Sequence, residues 1–108
     1  MNTKVLMMDV CRELSPVWNR LERKDRALAD QGRRAMQSMA LQFAEGLHAY
    51  EGNRKVKLLG ARSEAHEARM CLELASACGL ADEQALKAHL DGLDRIAAIL
   101  WLKVHRPR

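Results

Sequence analysis

The chain has 108 residues, enough for one hydrophobic core and too few for two, so residues 1–108 are expected to form a single domain. Hydrophobic residues make up 48% and charged residues 30%, with 2 Pro, 6 Gly and 4% aromatics, a profile that suits helices and argues against a turn-rich sheet sandwich. The formal charge of +4 is uneven: Met1 to Arg62 holds 12 Lys/Arg against 7 Asp/Glu and the remainder 6 against 7, so the basic excess, compatible with an anionic partner, belongs to the first half and the last few residues.

The opening MNTKVLMMDVCRELSP has one early Lys and is then broken by Asp9, Arg12 and Glu13, so it lacks the unbroken apolar core of a signal peptide. No apolar run approaches the roughly 20 residues of a spanning helix, and the expectation is a soluble, cytoplasmic protein without membrane contact. Met7, Val10, Leu14, Val17 and Leu21 step by three and four, which predicts a first helix over about Thr3 to Glu22. Pro16, with Ser15 before it as a cap, makes this two short helices or one kinked helix.

The second helix, from about Asp25 to His48, carries two stripes: Leu28, Gly32, Ala35 and Met39, then Met36, Ala40, Phe43 and Leu47. Such a helix is covered on both sides. The surplus apolar surface, with Trp18, Met36 and Trp101 as its candidates, predicts a homo-oligomer. His48 to Asn53 reads as a break with Gly52 and Asn53 as turn residues. A third helix follows on the heptad seam Leu58, Ala61, Ala65, Ala68, Leu72 and Ala75, and Gly79–Leu80 reads as its C-terminal stop.

Asp82 and Glu83 favour the positive end of a fourth helix with the stripe Leu86, Leu90, Leu93, Ile96, Ala97, Leu100 and Val104, ended by Pro107. Four long amphipathic segments with short connections make antiparallel neighbours. The fold class is therefore all-α, an up-down-up-down four-helix bundle. Cys11, Cys71 and Cys78 are odd in number and lie in helical patterns without metal or disulfide spacing, so they read as reduced core residues.

The stretch Arg33 to Gly46, RRAMQSMALQFAEG, resembles the signature of the 23S ribosomal RNA intervening-sequence proteins, which typically reads Q-x-R-R-A-x-x-S-x-P-x-N-x-A-E-G. Gln31, Arg33, Arg34, Ala35, Ser38, Ala44, Glu45 and Gly46 match it, whereas Ala40 stands where Pro is usual and Gln42 where Asn is usual. Ala61, Glu67, Leu72, Ala75 and Gly79 fall at the family's third-helix positions. The resemblance implies a non-enzymatic bundle that assembles into a ring, with relatives forming homopentamers. Similar proteins include the accessory variability determinants of diversity-generating retroelements, basic rings that bind RNA and a reverse transcriptase.

The residues themselves give little sign of catalysis. His48, His66, His89 and His105 are scattered, and no Ser or Cys is visibly arranged with a base. Glu45 and His48 have the Glu-x-x-His spacing of di-iron bundles, but only one copy exists. No catalytic residue, metal site or cofactor is expected. If the second and third helices fold back near Glu51, residues whose numbers sum to about 102 share a height. Arg34 then faces Glu67, and Glu45 lies near Arg54 to Lys57, either as ion-pair clamps between helices or as separately solvated charges. The same topology gathers Arg54, Lys55, Lys57, Lys103, Arg106 and Arg108 at one end, with Lys4 and His105 beside them.

The leading expectation is thus an oligomeric scaffold that binds RNA or another polyanion through phosphate contacts from this end. The alternative is a structural or protein-binding adaptor whose basic tail only solubilises it. No aromatic stacking platform is evident in the sequence.

Overall fold

Four α-helices make up the computed structural model, which describes residues 2–106: α1 (Thr3–Glu22), α2 (Arg26–Leu47), α3 (Glu51–Ala77) and α4 (Glu83–His105). They form an antiparallel four-helix bundle in which α2 packs on α1 and α3, and α4 closes the bundle against α3 and α1. The long extent is 43 Å against 22 and 20 Å across, close to the length of the 27-residue α3 at about 1.5 Å per residue. All four helices therefore run along the long axis.

Helix starts follow local acceptors. Asn2 Oδ1 accepts from the Lys4 and Val5 amides at 2.8 and 3.3 Å, Asp25 Oδ1 from Leu28 at 3.0 Å, and Asp82 Oδ2 from Ala85 at 3.3 Å. Tyr50 caps α3 with no side-chain bond, so α3 begins at Glu51 and takes Gly52 and Asn53 into its first turn. The expected break is confined to His48–Tyr50. At the other end of α3, Gly79 adopts φ +73°, and the Leu80 and Gly79 amides donate back to Ala75 and Ser76 carbonyls at 2.8 and 3.1 Å. This is the stop read from Gly79–Leu80, and it requires a left-handed residue that glycine adopts without strain.

Pro16 lies inside an unbroken α1. It faces solvent, as does Arg12, so the Arg12 carbonyl that loses its amide partner is open to water. The side chain of Ser15 donates to the Cys11 carbonyl at 2.9 Å.

The core takes its bulk from Trp18, Met7, Leu14, Met39, Leu58, Leu72, Leu93, Ile96 and Leu100, while α3 supplies Ala61, Ala65, Ala68 and Ala75. Trp18 does not supply surplus surface. It is fully buried, its Nε1 donates to Met36 Sδ at 3.4 Å, and Met36 is buried with it. The indole fits because Gly32 faces it: a Cβ at Gly32 would fall among the Trp18 ring carbons. Most of both α2 stripes is consumed inside the bundle, through Gly32, Ala35, Met36, Met39 and Phe43, whereas Leu47 at the end of the second stripe is exposed. Exposed apolar side chains occur on all four helices, and α3 carries the largest group, Val56, Leu59, Met70 and Leu74, on the side opposite its buried seam.

Candidate nucleic-acid interface

Chain direction brings the start of α1, the α2–α3 turn and the end of α4 to one end of the bundle. There Arg54, Lys55, Lys103, His105 and Arg106, with Glu51, line a cleft of about 250 Å³. Two helix ends meet in it. The uncapped α3 N-terminus contributes free amides and partial positive charge, and the α4 C-terminus contributes carbonyls of the opposite sign. Arg54 offsets the latter, its Nη1 donating to the Lys103 carbonyl at 3.4 Å, and His105 Nδ1 lies 3.1 Å from the Trp101 carbonyl.

Of the six cations read from the sequence, Arg54, Lys55, Lys103 and Arg106 share this cleft. Lys57 does not. Its Nζ is 3.1 Å from Glu45 Oε1 across the α2–α3 seam, so part of its charge is already partnered. Arg108 lies outside the described residues. At the opposite end Arg20, Arg23 and Lys24 rim a cleft of about 390 Å³ floored by Val17, Leu21, Leu72 and Leu86. Its acid is Asp82, the cap of α4.

One cluster was only partly visible in the sequence. On α4, Trp101 is 45% exposed and stacks on His105, ring centroids 3.5 Å apart and planes 26° from parallel. From α3, the Arg62 guanidinium carbon sits over the Trp101 ring, 5.1 Å from its centroid, while Arg62 Nε donates to the Ala97 carbonyl at 3.3 Å. The i,i+4 spacing of Trp101 and His105 could have suggested their contact. Arg62 comes from another helix and could not be found that way.

Burial pushes the Cys11 thiol up, and burial, then Glu67, pushes up the Cys71 thiol, which makes both poorer nucleophiles at neutral pH. Among the described residues no three His, Cys, Asp or Glu side chains gather to hold a metal ion. No described helix is long and apolar enough to cross a membrane.

Residues 4–101 match the family described as 23S rRNA-intervening sequence protein. The chain belongs to this family. A crystallographically solved protein of unknown function from Bacteroides thetaiotaomicron VPI-5482, assigned to the S23 ribosomal protein family, shares the fold with a TM-score of 0.89. The match covers 96% of this chain and 99% of that one at 17% identity. No curated protein matches the chain.

Three signature residues of this intervening-sequence protein, Gln31, Arg33 and Glu45, join helices. Arg33 is held by Asp30 and Glu22, each at 2.9 Å, and by Asn19 at 3.1 Å, joining α2 to α1. Gln31 Nε2 donates to Glu67 Oε2 at 2.8 Å, joining α2 to α3. The expected Arg34–Glu67 pair is absent, because Arg34 is turned about 60° around α2 from Gln31 and its Nε instead donates to its own helix at the Asp30 carbonyl, 3.4 Å away. Ser38 accepts from Gln42 Nε2 at 3.0 Å, so the residue replacing the usual Asn keeps an amide on this face. Glu45 is the acid that holds Lys57.

Proposed function

We propose that this family member is a non-enzymatic scaffold that assembles into a closed homo-oligomer, a pentameric ring as the family resemblance implies, and binds RNA phosphates through its cationic end. The observation that carries the reading is the cleft in which Arg54, Lys55, Lys103 and Arg106 face one acid, Glu51. A phosphate backbone needs only such exposed cations, and each contact releases bound counterions. A single cleft of this size binds weakly. Repetition around a ring multiplies it by raising the effective concentration of the second and later contacts.

The exposed α3 side chains Val56, Leu59, Met70 and Leu74 support assembly, since an apolar stripe along one helix is suited to burial against another subunit. The same stripe favours the second reading, an adaptor that docks a partner helix there and leaves the basic end solvated. One variant separates them. Replacing Arg54, Lys55 and Lys57 together by Ala is expected to abolish RNA binding at moderate salt while light scattering still gives the assembled mass. An assembled variant that binds RNA as well as the parent supports the adaptor.

A further inference from the structure

The cationic cleft does not end at α4. His105 lines it and at the same time stacks on Trp101, whose other neighbours, Arg62, Ala98 and Leu102, enclose an open cleft of about 410 Å³ between α3 and α4. Two clefts thus meet at one side chain. The first offers cations and the second an indole, one helical turn apart, about 6 Å along the helix axis.

A tryptophan left 45% exposed keeps much of its apolar surface in water, and the Arg62 guanidinium over its ring fixes its orientation from the neighbouring helix. A charged groove with an adjacent aromatic ring is the combination that holds single-stranded nucleic acid: the groove tracks the phosphates, and the ring stacks a base of any identity. A duplex cannot use the ring, because its bases are already stacked inside the helix.

Resting on the RNA reading above, we infer that the cleft of Arg62, Ala98, Trp101 and Leu102 receives one unpaired base, which stacks on the Trp101 indole as the Arg62 guanidinium moves off the ring to admit it, while the flanking phosphates lie against Lys103, Arg106, Arg54 and Lys55. Ala98 and Leu102 supply apolar edges, and His105 spans from the base to the phosphate side. The site therefore prefers single-stranded RNA over duplex RNA and is tolerant of sequence.

The chain carries its own reporter. Of its two tryptophans, Trp18 is fully buried and Trp101 is exposed, so a change in indole emission on adding RNA reads Trp101. The experiment titrates the intact protein with a short oligoadenylate, an oligouridylate and a blunt RNA duplex of equal length at low salt. Both single strands are expected to quench emission, whereas the duplex binds more weakly and leaves emission unchanged. Trp101→Leu is expected to weaken single-strand binding by about tenfold or more, with Trp101→Tyr recovering part of the loss, and to leave duplex binding and the assembled mass intact. Single strands that bind without quenching, or a Trp101→Leu variant that binds them like the parent, overturn the base site and leave the phosphate reading standing. Loss of assembly in Trp101→Leu also overturns it by making Trp101 an interface residue. A parent protein that binds neither strand nor duplex at low salt overturns both proposals.

Discussion

Gly32→Ala isolates the contact that lets Trp18 enter the core. In a helix interior this exchange ordinarily stabilises by about 1 kcal/mol, because Ala gives up less backbone freedom. Here the new methyl would overlap the Trp18 ring carbons, and the indole is not free to retreat: it is fully buried and its Nε1 is anchored on Met36 Sδ. Overpacking of this kind costs about 1 to 3 kcal/mol. The rigidity of the neighbour favours the upper figure, leaving a net destabilisation of about 2 kcal/mol after the helix gain. For a chain of this size that lowers the melting temperature by roughly 10 °C. Gly52→Ala is the control, since nothing lies within 4 Å of its Cβ position, and it is expected to be neutral or mildly stabilising. In a Trp18→Leu background the penalty of Gly32→Ala should vanish, which a double-mutant cycle reads as coupling. Thermal and urea denaturation at one fixed protein concentration provide the assay. A Gly32→Ala protein that melts at or above the parent temperature would refute this picture of the Trp18 slot.

Glu67→Gln is expected to change stability by less than about 0.5 kcal/mol, because the exposed carboxylate has only Gln31 as partner and strands no buried cation; a midpoint loss above 1 kcal/mol would restore the Arg34 pairing. Among single neutralisations at the cationic end, Lys57→Ala should reduce the salt dependence of RNA binding less than Arg54→Ala or Lys55→Ala, since Lys57 already faces Glu45. Thiol reagents at pH 8 should modify exposed Cys78 well before Cys11 and Cys71, whose thiols burial holds above the ordinary 9.0; mass spectrometry of the native protein checks the order. Because those two thiols ionise more readily in the unfolded chain, the stability they contribute is present below about pH 9.0 and declines as pH rises beyond it. Alkaline melting curves that stay flat through that range would contradict this.

Helix positions were legible because hydrophobic spacing and capping residues act locally. Met7 to Leu21, Leu58 to Ala75 and Leu86 to Leu100 are buried along the stripes read from sequence, and Asp25, Asp82 and Gly79 mark the ends. What depends on partners from other helices was less legible. Trp18 looked like surplus because its slot is made by Gly32, a residue with no side chain to announce it. Equal height alone offered Arg34 as a partner for Glu67, beside separate solvation of the two charges, whereas direction around α2 gives Glu67 to Gln31. The chain position of Lys57 put it both among the cations of this end and within reach of Glu45, and its side chain takes the second place. Pro16 disrupted α1 less than expected because the carbonyl it orphans faces water. The Arg62–Trp101–His105 cluster joins two helices far apart in sequence, and periodicity carries no information on such a meeting.

Phosphate binding at the Arg54, Lys55, Lys103 and Arg106 cleft makes its most direct statement in the salt dependence of RNA affinity. With four cations per cleft and about 0.7 of a unit of log–log slope for each single-strand phosphate neutralised, one engaged cleft gives a slope of about −3, steeper if several subunits share a strand. The measurement is a fluorescence-anisotropy titration of the assembled protein with labelled single-stranded RNA over a series of monovalent salt concentrations. A slope of about −3 or steeper, falling by close to one contact's worth in Arg54→Ala, is the expected result. An assembled protein that binds no RNA at low salt, or binds it with a slope near zero, contradicts the cationic end as an RNA site.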